Sequence, residues 1–174
     1  MTNRERFETL RTGIIAGAAG GLAEIAWVTL YAGLSGIDPA VVARSVTTTA
    51  GMRALLPAHP AALGIVVHML LAATLGVVLT LSWRTLTANR RVADNPFPFM
   101  LAALAGVWAI NFFVVLPIVG PAFVHLLPYT VSLTSKLLFG LATAEVVRNQ
   151  ALFFRRLIPH SRIENRDPGK TSWT

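Results

Sequence analysis

Residues 12–37, 55–83, 95–130 and 131–144 are almost free of Asp, Glu, Lys and Arg, each run broken at most once by an acid or an ammonium. A bilayer crossing needs about 20 apolar residues, and within hydrocarbon a lone spanning segment satisfies its own backbone only as a helix. The pattern therefore predicts an all-α protein, an integral membrane four-helix bundle with helices near residues 13–34, 61–83, 98–119 and 124–147. Composition agrees: 54% of the 174 residues are hydrophobic and 13% charged, against about 25% charged in soluble domains. Mean hydropathy is +0.60.

The formal net charge of +7 takes its meaning from where the charges lie. Arg4, Arg6 and Arg11 precede the first helix, Arg84, Arg90 and Arg91 follow the second, and Arg148, Arg155, Arg156, Arg162, Arg166 and Lys170 follow the fourth. Only Arg44 and Arg53 lie in the connection 35–60, and "VGPAFVHLLP" between the third and fourth helices has no basic side chain besides His125. That asymmetry is the positive-inside pattern. It predicts two helix hairpins in a bacterial inner membrane, N-in and C-in with both termini cytoplasmic, and makes nucleic acid unnecessary as a partner. Glu24 in the middle of the first run argues for a retained helix rather than a cleaved signal peptide. The absence of cysteine excludes disulfides and thiolate metal sites.

Around the transmembrane domain, 13–147, the chain divides simply. Residues 1–12 form a cytoplasmic N-terminus. The outer loop 35–60 is expected to hold a short surface helix beginning at Asp38 and Pro39, an N-cap and first-turn pair, as a lid or as an ordinary connector. Residues 148–158 are expected to form a basic amphipathic extension in which Arg148, Arg155 and Arg156 meet lipid headgroups, and 159–174 a disordered cytoplasmic tail. Tyr31, Trp83 and Tyr129 are interface-belt candidates. Pro117, Pro121 and Pro128 predict a tight turn, or an unwound stretch, between the last two helices.

Each helix carries one strongly polar side chain at middle to outer depth: Glu24, His68, Asn111 and Lys136. A charge at the bilayer centre costs at least about 2.5–3.5 kcal/mol, so such groups are expected to face one another rather than lipid. Glu24 and Lys136 are the natural ion pair, with His68 and Asn111 beside them. Gly13, Gly17 and Gly20 lie on the stripe of Glu24, and Gly64, Gly76 and Gly140 on those of His68 and Lys136; all six are expected to let neighbouring helices pack closely. The second and fourth helices echo each other as Gly64, His68, Ala72, Gly76 against Ser132, Lys136, Gly140, Ala144. Either a structural ion pair that fixes packing or a proton or ion path fits the cluster. His59 and His125 are possible outer-side ligands for haem or metal, but no metal-ligand spacing occurs, and no metal site is assigned.

The stretches "TGIIAGAAGG", "VVHMLLAATLG", "AGVWAINFFVVLPIVGPAF" and "SKLLFGLA" resemble an uncharacterised family of small bacterial four-helix inner-membrane proteins, over most of residues 12–147. The resemblance implies a four-helix fold with a histidine before the small residues of helices two and four. His68 is in place in helix two, whereas Lys136 stands at the equivalent position of helix four. The family brings no known activity.

No G-x-S-x-G, Walker loop, H-E-x-x-H or paired-carboxylate arrangement occurs, so no enzyme is expected and no cofactor is assigned. The leading expectation is a non-enzymatic accessory or scaffold subunit of a larger membrane assembly, because four helices leave apolar surface for other membrane protein subunits or a homo-oligomer as well as for the lipid bilayer. The alternative is a small oligomeric carrier or proton-linked pathway that uses the Glu24/His68/Asn111/Lys136 cluster. A haem- or quinone-binding redox subunit comes third.

Overall fold

The computed structural model describes residues 3–52, 54–55, 58–88, 95–121 and 126–157, the side chains of residues 4 and 151–157 excepted. All regular structure among them is helical. Helix α1 is Asn3–Leu34, α2 Pro39–Thr49 and α3 Pro60–Ala88; α4 is Pro96–Val119, and α5 is Tyr129–Leu157. Four of these, α1, α3, α4 and α5, are long and apolar enough to cross a membrane.

The helices overrun the limits that hydropathy draws. Helix α1 begins at Asn3 instead of residue 13, and α5 continues through the segment 148–157. A charged residue ends a hydrophobic run but does not end a helix; that takes glycine, proline or a cap in non-helical geometry, and "RERFETLR" and "RNQALFFRR" contain neither glycine nor proline. The fourth spanning helix begins at Tyr129, directly after Pro128, and not at residue 124. At the far end of α1, Gly36 takes a φ of 70° and Ile37 N–H reaches back to the Ala32 carbonyl at 2.9 Å, a glycine-closed helix end.

Helix α1 packs along both α3 and α5, α5 also packs along α4, and α2 lies on α3. Small residues make the tightest crossings. A Cβ on Gly76 would overlap the Gly13 carbonyl and the Gly17 backbone, and one on Gly20 would come within 2.7 Å of the Phe139 ring. Threonine hydroxyls in the apolar interior return to the helix, as Thr80 Oγ1 does to the Gly76 carbonyl at 2.7 Å, or bridge helices, as Thr143 Oγ1 does to the Ala16 carbonyl at 3.3 Å. Each leaves no unpaired donor in a medium that cannot supply a partner.

Helices α3 and α4 hardly touch. Where they meet, at the end near the chain termini, Trp83 lies 5.6 Å from Phe99, ring centroid to centroid, within a core that includes Leu79, Met100 and Leu104. Trp83 is therefore buried, at 6% exposure, and not a member of an interfacial belt: its ring fills the space where two helices converge. Arg148 pairs with Glu145 at 2.7 Å and lies over the Phe97 ring, with about half of its side chain (49%) still exposed. The side chains of Arg155 and Arg156, and the tail 159–174, lie outside the described residues.

At the opposite end, α2 starts as its sequence predicts. Asp38 accepts from Ala40 N–H at 2.9 Å and from the Arg44 guanidinium at 3.1 Å, and Pro39 occupies the first turn. The Ala40 contact first, and Arg44 second, hold the Asp38 carboxyl below its ordinary 3.8. A lowered folded value means that the contribution of this cap is complete above the ordinary value and fades as pH falls through the lowered one. Asp38→Ala is expected to speed hydrogen exchange over 39–49, while Asp38→Asn, which keeps the cap oxygen, leaves it near the wild-type rate.

Candidate functional site

Three of the four spanning helices meet at one carboxylate. Glu24, 4% exposed, accepts from Lys136 Nζ at 2.6 Å on Oε1 and 2.9 Å on Oε2. Both carboxylate oxygens thus lie against one ammonium, which offsets a charge held away from water. His68 Nε2 lies 3.8 Å from Glu24 Oε2 and 3.4 Å from the Gly21 carbonyl. Ser135 Oγ stands 3.2 Å from Glu24 Oε1 and 2.8 Å from the Ser132 carbonyl, so its one proton is shared between them.

The backbone explains why these groups meet. Gly17 and Gly76 bring α1 and α3 together, and Gly20 admits Phe139 of α5, one turn from Glu24. Two tryptophans then fix the start of α5: Trp27 Nε1 donates to the Val131 carbonyl at 3.0 Å and Trp108 Nε1 to Ser132 Oγ at 3.1 Å. At a rise of about 1.5 Å per residue, Lys136 sits roughly 10 Å along α5, and Glu24 and His68 roughly 15 and 12 Å from the same end of α1 and α3. The cluster therefore lies in the half of the bundle nearer α2.

Asn111 is placed differently. It opens a wide helical turn, Asn111–Val115, in which Leu116 N–H bonds the Asn111 carbonyl five residues back. Pro117 supplies the cause: it has no N–H, and its ring crowds the carbonyl four residues earlier. Asn111 forms no hydrogen bond to Glu24, His68 or Lys136, but lines the same cavity. Behind it Trp108, Phe112, Phe113 and Tyr129 form an aromatic cluster with centroids 5.5–6.3 Å apart.

That cavity has a volume of about 580 Å³, within the roughly 300–1,000 Å³ of small-ligand sites. Glu24, His68, Ser132, Ser135 and Lys136 form one wall and Asn111 stands on another; Val42, Val46, Val67, Leu71, Leu116 and Phe139 make much of the rest apolar. Helix α2 roofs it. The carbonyl of Ala43 sits against Gly64, where any Cβ would collide with it, and Thr47 donates to the Pro60 carbonyl at 2.6 Å.

The sequence does not single out Ser135, the Gly21 carbonyl or the apolar wall given by α2. The serine carries a weak signal, since it stands three residues after Ser132 and directly before the lysine. His59 is exposed just before α3, away from the cluster, and His125 lies outside the described residues. No group of three or more His, Cys, Asp or Glu side chains that could hold a metal occurs among the described residues. No family model matches the chain, and neither a curated protein nor a solved structure matches it.

Proposed function

We infer that this chain is a small multi-pass protein of the bacterial inner membrane, with both termini cytoplasmic, that binds a small ligand at mid-bundle and serves as a carrier or ligand-binding unit, not as an enzyme. One observation carries this reading: the buried Glu24–Lys136 pair forms part of the wall of an open cavity. A pair that served only to fix helix packing would be enclosed by side chains, as the Trp83–Phe99 contact is. Ionisable groups at membrane depth that border an open space mark ligand, ion or proton sites. The scaffold-subunit expectation rests on outward apolar faces, which lipid covers equally well.

Purification in a mild detergent followed by native mass spectrometry tests the reading. Wild-type protein is expected to retain a bound small molecule, and a folded Glu24→Gln/Lys136→Met variant to lose it. Equal retention by both, or a bare wild-type protein beside a fixed protein partner, would return the scaffold reading to first place.

A further inference from the structure

The cavity walls specify the ligand's chemistry and its way in, an inference that rests on the binding site proposed above. Lys136 directs its hydrogen bonding at the Glu24 carboxylate alone, and the N–H donors left over meet no acceptor among the described residues. The Asn111 side-chain amide, on the neighbouring α4, makes no hydrogen bond there either. No buried side-chain nitrogen or oxygen among the described residues lacks a partner, so the unbonded Asn111 amide is accessible; the Lys136 side chain is 20% exposed, and both residues line the cavity. The formal charges of Glu24 and Lys136 cancel. A charged headgroup placed beside them would stand uncompensated at membrane depth, where lone charges are heavily penalised. An uncharged head with a carbonyl or hydroxyl oxygen accepts from Lys136 and Asn111 without that cost.

Both ends of the cleft are shut. Helix α2 is fastened to α3 through Ala43 and Thr47 and reaches the end of α4, where Thr49 lies against Gly120. At the other end, Trp83 and Phe99 close α3 on α4. Between these closures the two helices diverge. Ile65 and Leu71 on α3 and Val115 and Val119 on α4 line the cavity and are at the same time exposed on the outer surface. Side chains that are both form the rim of an opening, and this rim is wholly apolar and faces the bilayer.

We propose that the cleft receives an uncharged, single-tailed amphiphile directly from the bilayer, through the gap between α3 and α4, and seats its polar head between Lys136 and Asn111. A cavity of about 580 Å³ with one polar patch has room for a head and one tail. The roof is fastened to α3, and this route does not require it to open.

The chain has no cysteine, so an introduced pair is unambiguous. A Cβ at Gly120 would stand 3.3 Å from Thr49 Cβ, close to the roughly 3.5–4.5 Å of a disulfide, and Thr49→Cys/Gly120→Cys therefore locks the roof to α4. In phosphatidylcholine nanodiscs, tritiated monoolein is expected to bind saturably and, after oxidation of this pair, at a rate within about twofold of the reduced protein. Alkylating Leu71→Cys with a bulky maleimide is expected to slow uptake by about tenfold or more. The same oleyl chain with a sulfate or a trimethylammonium head is expected to bind at least about tenfold more weakly.

Loss of monoolein binding on oxidation, restored by reductant, would overturn the bilayer route. Equal affinity for a charged head, or no saturable monoolein binding, would overturn the ligand class. In either case a different molecule retained by wild type and lost from the Glu24→Gln/Lys136→Met variant leaves the binding site itself standing, so the two readings fail separately.

Discussion

Lys136→Met is expected to lower stability by about 3 kcal/mol, the low end of the roughly 3–5 kcal/mol lost when one partner of a buried ion pair is removed. The substitution leaves Glu24 with only Ser135 as a donor at hydrogen-bonding distance, its carboxylate 4% exposed and His68 at 3.8 Å. The low end applies because helices that separate within a bilayer still find other partners for a stranded polar group. Glu24→Gln in the wild-type background strands the ammonium in the same way, with a smaller loss, since Lys136 keeps part of its hydrogen bonding through the amide oxygen. The combined Glu24→Gln/Lys136→Met variant removes both charges and is expected to recover most of the loss, because a neutral amide and a thioether need far less compensation. Unfolding in mixed micelles across the four proteins forms a double-mutant cycle. Single and double variants of equal stability would mean that the ammonium and the carboxylate are not coupled, and the cluster would then have no energetic centre.

The same pair shows how far a sequence of this kind can be followed. Hydrocarbon forbids isolated charge, so a lone acid in one apolar helix and a lone ammonium in another are driven together whatever their neighbours, and the spacing of Gly13, Gly17 and Gly76 indicates which faces adjoin. His68 follows because it shares its face with Ala72 and Gly76, which turn toward α1, and with Gly64, which meets α2. Periodicity distinguishes the inward face of a helix from the outward one, but not a filled interior from a hollow one. The gap between α3 and α4 is therefore invisible in it: Leu71 and Val115 look like ordinary lipid-facing residues whether or not a cavity lies beside them. Asn111 is the partial exception: it lines the cavity without bonding Glu24, His68 or Lys136, and the widened turn that it opens, which Pro117 forces from six residues away, has no signature in a 3.6-residue wheel. Helix ends were blurred by the reverse effect, since charge stops a hydropathy plot and leaves the hydrogen-bond ladder intact.

Glycine substitutions divide by contact, and the sign of the effect is expected to change with position. At Gly76 a new Cβ overlaps the Gly13 carbonyl and the Gly17 backbone; at Gly17 it overlaps the Ala72 carbonyl and meets Ala73 Cα at 2.8 Å. Those neighbours are main chain and have no rotamer to yield, so α1 and α3 must separate. Gly76→Ala and Gly17→Ala are each expected to cost about 1–2 kcal/mol net: about 2–3 kcal/mol, the upper part of the overpacking range, less about 1 kcal/mol that alanine adds to a helix interior. Gly106 and Gly33 have nothing within 4 Å of the built Cβ, and there the helical gain stands alone: alanine is expected to stabilise by up to about 1 kcal/mol. Gly140 lies between, its Cβ 3.3 Å from the Met100 carbonyl, a distance that a shift of a few tenths of an ångström relieves. The cleft inherits the distortion. Gly76 is two turns from His68 and Gly17 two turns from Glu24, so a wedge at that crossing tilts the histidine away from the carboxylate and widens the cavity at its base. Gly76→Ala is accordingly expected to weaken retention of a bound small molecule along with stability, whereas Gly106→Ala, on the outer face of α4, raises stability with retention unchanged. Equal effects at Gly76 and Gly106 in thermal unfolding would show that α1 and α3 do not cross at backbone contact, and that something other than these glycines brings Glu24 to His68 and Lys136.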